Sequence, residues 1–154
     1  MRTILITGSM ILFLFSGQAF AQPIAKHLID AKPGEALLLD VEKWFQARPI
    51  ENPPLRAETV FQSPRGQVVF IRAKGTVMGR HIHTHVDEIV YIYKGRGEMY
   101  INGQWVPVKA GDFHTCPRGV AHTARTMGDE EIWLICFFTE PLPQPAGDRV
   151  MIGD

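Results

Sequence analysis

Between residues 56 and 138 the apolar residues fall into short runs rich in Val, Ile, Phe, Tyr and Thr, punctuated by Gly and Pro. Runs of about 5 to 8 residues with polar and apolar positions alternating predict β-strands. They lie at 56–62, 67–74, 88–93, 97–101, 105–109, 113–116, 122–127 and 132–138. Among the breaks, Asn102-Gly103 is the strongest turn signal, because both central positions of a type I′ hairpin turn require positive φ. No long helical period interrupts the series, so the pattern predicts an all-β sandwich or barrel over residues 56–139.

The flanks read differently. Arg2 followed by a mostly apolar run over residues 4–15 and then Ala19-Phe20-Ala21 has the order of a cleavable signal peptide, residues 1–21, with cleavage after Ala21. The run is too short for a comfortable membrane span, which needs about 20 residues. A periplasmic or secreted mature protein is the expectation. Residues 22–55 form a lead-in broken by Pro23, Pro33, Pro49, Pro53 and Pro54, in which Asp40 is placed to cap a short helix over 41–46. Residues 140–154, with Pro141, Pro143, Pro145 and Gly147, read as a strap or a loose end.

Composition narrows the partners. Loss of the leader leaves 133 residues, suited to one domain, with 15 basic residues facing 16 acidic ones. That near-neutral balance gives no electrostatic reason to expect nucleic acid or an anionic membrane as partner. Cys116 and Cys136 are the only cysteines. Export permits a disulfide between them, while thiols on different strands often point to different faces, so sequence leaves the bridge open.

The chemistry concentrates in the histidines. In His81-Ile82-His83-Thr84-His85-Val86-Asp87-Glu88, positions i and i+2 of a strand share a face, which supports the pair His81/His83 and equally offers His83/His85. Glu88 can return to the same cavity if the chain bends, and His122 opens a later strand just after Pro117-Arg118-Gly119. Two or three imidazoles with a carboxylate suit Fe, Mn, Zn, Ni or Cu and leave one or two positions of the ion open.

The spacing of these residues resembles a known family. Gly75, five residues, His81-Ile82-His83, four residues, Glu88, six residues and Gly95 is similar to the first cupin motif. Gly111, five residues, Pro117-Arg118-Gly119, two residues and His122 is similar to the second, with Thr126 where the family usually has Asn. The resemblance implies a jelly-roll double-stranded β-helix with a short irregular and helical lead-in. It further implies one divalent transition metal ion per chain held by His81, His83, Glu88 and His122, a small-molecule substrate or ligand, and a homodimer.

Neighbouring residues carry further expectations. Asp87 competes with Glu88 for the inward position, and if Glu88 points inward so do Val90 and Ile92, with Tyr91 and Tyr93 outward. His85 is the candidate catalytic residue, near the mouth and able to move a proton near neutral pH. His114 sits mid-strand with its facing open, and Arg72 or Lys74 reads first as a solvated strand edge and second as a charge for an anionic substrate group. The chemistry expected at such an ion is that of an oxygenase, with a redox-neutral isomerase, lyase or decarboxylase and a non-catalytic carboxylate- or sugar-binding module as alternatives.

Overall fold

The computed structural model describes residues 36–50, 54–143 and 148–153. The expected leader and its cleavage point lie outside these residues. Among the described residues no helix is long and apolar enough to cross a membrane.

Every strand expected from the alternating pattern is present. In chain order they are β1 (Leu55–Ser63), β2 (Gly66–Lys74), β3 (His81–His83), β4 (Glu88–Lys94), β5 (Arg96–Ile101), β6 (Gln104–Lys109), β7 (Phe113–Cys116), β8 (Thr123–Thr126), β9 (Glu131–Phe138) and β10 (Arg149–Met151). One wall is an antiparallel sheet in the order β1-β2-β9-β4-β7. Facing it are β6-β5-β8 and the pair β10-β3, linked by an isolated bridge between His81 and His122. The result is the jelly roll expected from the sequence.

Side chains alternate across these walls as the pleat requires. Val69, Ile71, Val90, Ile92, Met99 and Leu134 point between the sheets and form the main core. The outer face of the five-stranded sheet carries a second cluster, in which Trp44 and Phe45 of α1 (Val41–Gln46) pack on Phe70 and Trp133. Asp40 caps that helix as expected, its Oδ1 accepting from Lys43 N at 3.0 Å.

Two turns show their chemistry plainly. Asn102 and Gly103 have φ of 51° and 86°, as a type I′ turn demands. Gly95 has φ of 85°, and a Cβ there would lie 2.0 Å from the carbonyl oxygen of Glu131. Only glycine fits where β4 hands over to β5 beside β9.

Three features depart from the sequence reading or complete it. β3 is a strand of three residues, too short for a periodic signal, and β10 comes from the tail and pairs with it antiparallel. The tail is therefore a strap that becomes part of the barrel wall. Cys116 and Cys136 are free. They sit on β7 and β9, on opposite sides of β4. Two strand spacings put their backbones ~10 Å apart, beyond the ~7 Å that a disulfide tolerates.

Candidate metal centre

The four ligand-type residues come from three places in the barrel. His81 and His83 alternate inward on β3, Glu88 opens β4, and His122 is fixed opposite His81 by two backbone hydrogen bonds. All four side chains are buried, with 1 to 6% of their surface exposed. One ligand atom from each lies within 4.8 Å of the others. Asp87 turns away instead and accepts from Arg118 N at 2.9 Å. The inward position therefore belongs to Glu88, and Val90 and Ile92 follow it into the core while Tyr91 is exposed.

The outward-facing ring nitrogens define the tautomers. His81 Nδ1 donates to Gly79 O at 2.8 Å, His122 Nδ1 to Val120 O at 2.9 Å, and His83 Nδ1 to Asp148 Oδ1 at 2.7 Å. Carbonyl and carboxylate oxygens only accept, so each Nδ1 carries a proton, and in the neutral ring Nε2 presents a lone pair to the centre. The Nε2 atoms of His81 and His83 are buried with no hydrogen-bond partner. His83 Nε2 stands 3.4 Å from Glu88 Oε2, too far for a directed bond, and His122 Nε2 approaches the same oxygen at 2.9 Å. Buried groups with unspent lone pairs are costly in a folded protein. A cation among these four atoms would satisfy both orphaned nitrogens, and nitrogen and carboxylate donors are those a divalent transition metal takes. The residues fit the ion that the sequence motifs imply.

Electrostatics follow from this packing. Burial pushes the His81 ring down to about 4, keeping it neutral and available as a ligand. Burial alone would raise the Glu88 carboxyl, yet the neighbouring imidazoles of His122 and His83 outweigh it and hold the group well below the usual range. Burial lowers His83, and its contacts with Glu88 and Asp148 override that and raise it. Asp148 would likewise be raised by burial, but the donors around it bring it down to about 2.

Asp148 is the residue that sequence reasoning missed. Besides His83 it accepts from the backbone N–H groups of His85 at 2.7 Å and Val86 at 3.1 Å, so it also fixes the bend between β3 and β4. A carboxylate partner for a metal-binding imidazole is a common arrangement, but nothing in the tail marks which acid would serve.

His85 does not join the group. The chain bends at Thr84 and His85, which breaks the alternation set by His81 and His83. Its side chain is exposed and its Nδ1 meets Thr84 Oγ1 at 2.8 Å, outside the cavity, so the geometry gives a proton-transfer role no support. The open pairing of histidines thus resolves to His81/His83. His114 points inward opposite Val90 and its Nδ1 meets Cys116 Sγ at 3.3 Å, apart from the four. Arg72 lies on the outer face, bound to Glu131 at 2.7 Å and to the carbonyls of Phe45 and Arg48, and Lys74 is exposed opposite Glu131. Neither cation faces the cavity. Thr126 bonds the backbone of Thr76 on both sides and touches no ligand residue.

Beside the four residues is a cavity of about 140 Å³. Its wall is mostly apolar, with Leu55, Ile71, Val90, Met99 and Leu134, and it reaches His81, Glu88 and His122. A cavity of roughly 150 Å³ is large enough for benzene, which sets the scale of what fits.

Comparison with known proteins adds the family. The family model described as the cupin domain matches residues 68–138. The chain is 29% identical over 76 residues to the polyketide synthase CurC of Streptomyces cyaneus, 49% of each chain. It is 36% identical over 67 residues to an oxalate-binding protein of Thermotoga maritima, covering 42% of this chain and 55% of that one. The chain thus spans about half the length of the curated relatives it matches. A protein of Klebsiella pneumoniae with a double-stranded β-helix domain superposes with a TM-score of 0.63 at 22% identity, over 78% of this chain and 100% of that one. At that identity the likeness is one of fold.

Proposed function

The chain is a cupin-superfamily domain protein, and from that premise we propose that it is a metal-dependent enzyme of the oxygenase type acting on a small organic molecule. The observation that carries the reading is the pair of buried, unpartnered Nε2 atoms of His81 and His83 converging with Glu88 and His122. An ion held there would supply Lewis acidity and open coordination positions for substrate and dioxygen. The protein's own part is to orient the donors through Gly79, Val120 and Asp148, to keep His81 neutral, and to offer a dry wall of Val90, Met99 and Leu134 against which a small molecule is held. Export belongs to the same proposal: a chain that folds outside the cytoplasm takes metal by availability, which favours zinc or copper for such donors.

The test is elemental analysis of protein recovered from the exported fraction, whose mass is expected to begin at Gln22. About one transition-metal ion per chain is expected, and below a tenth of that in His81→Ala or Glu88→Gln. Full occupancy in either variant refutes the ligand set. Oxygen uptake with the metal-loaded protein then separates the oxygenase from a redox-neutral enzyme on an organic acid, a second reading favoured by similarity to the oxalate-binding protein. Turnover that proceeds undiminished without oxygen selects the second.

A further inference from the structure

The cavity wall contains one cation, and the tail supplies it. Arg149 on β10 stands opposite His83 in the antiparallel register, so its side chain leaves the strand on the face that carries the ligand imidazoles. It lines the cavity together with His81, Glu88 and His122. Among the described residues, Arg149 makes no ion pair and no side-chain hydrogen bond, whereas Arg48, Arg56, Arg72, Arg96, Arg118 and Arg125 are each paired with a carboxylate.

Glu88 is the one acid on the cavity wall, and it faces the two imidazoles at 2.9 and 3.4 Å. Committed there, it leaves Arg149, an exposed residue at the edge of the cavity, without a carboxylate partner among the described residues. A planar guanidinium with five N–H donors matches a carboxylate in a two-point bond. A volume near that of a benzene site limits the guest to about six to eight non-hydrogen atoms. We infer that Arg149 is the residue that binds the carboxylate of the cavity's guest, so that the guest is a short organic acid spanning from the guanidinium to the four-residue centre. The inference rests on the metal reading for the far end of the guest and on Arg149 alone for the near end.

Calorimetry of the full mature chain tests it, with zinc-loaded and chelator-treated samples whose metal content is read first. The probes are oxalate, malonate and succinate, with malonamide as the neutral match to malonate and inorganic phosphate as the rival anion. At least one dicarboxylate is expected to bind, with malonamide at least tenfold weaker than malonate. In Arg149→Gln the dicarboxylate affinity is expected to fall at least 30-fold while zinc content and thermal midpoint stay as in wild type, and Arg149→Lys is expected to restore part of it. An Arg149→Gln protein that binds dicarboxylates within twofold of wild type overturns the inference. So does an absence of dicarboxylate binding in both samples, or phosphate binding tighter than any dicarboxylate. If the protein takes up no zinc, the metal reading fails by itself, and Arg149-dependent binding to the metal-free protein still supports the present one.

Discussion

Asp148 holds three donors at once, the imidazole of His83 and the N–H groups of His85 and Val86. Replacing it with Asn keeps the shape, removes the charge and turns an amide group toward donors that need acceptors. Loss of such an outer partner typically weakens metal binding ten- to a hundredfold. Asp148→Asn is accordingly expected to raise the zinc dissociation constant by ~10- to 100-fold in competition with a chromophoric chelator, with the far-UV spectrum unchanged. The contrast with the ligands shows what sequence can reveal. His81, His83 and Glu88 sit within eight residues of one another, so a strand's alternation and one bend bring them together. The bond between His83 and Asp148 spans 65 residues, and no local pattern announces it. His85 misled for the opposite reason: alternation extrapolated past a bend assigns the wrong face.

At the level of elements, strand pairing depends on a few backbone positions that tolerate no side chain. Gly95 is the clearest, since a Cβ would meet the Glu131 carbonyl at 2.0 Å and its φ of 85° is itself unfavourable for other residues. Gly95→Ala is expected to cost about 2 kcal/mol or more in urea unfolding, because both the left-handed penalty and the displacement of β9 apply. Most strands were legible because each is long enough for period two to register, as β2 and β9 show. β3 and β10 were not, because three residues carry no period and become strands only through pairing with each other. The same limit hid Arg149, whereas Arg72 lies outside, between the buried Ile71 and Ala73, in keeping with the strand-edge reading that its alternation offered.

Taken whole, the molecule has a dry interior between two walls and a separate aromatic layer under α1. Both thiols belong to the interior, where burial raises Cys116 and Cys136 above the ordinary thiol range. They are expected to resist a thiol reagent in the native state, to react fully in denaturant, and to show no mass loss of about two hydrogens after mild oxidation, since β4 keeps them beyond bridging reach. The placement of β10 has a consequence in time. Because Asp148 stands beside β10, a barrel whose other strands have paired before β10 docks would offer the ion a half-oriented His83. Productive loading then waits for β10 to dock, which makes closure of that strand the checkpoint between a folded shell and a competent one.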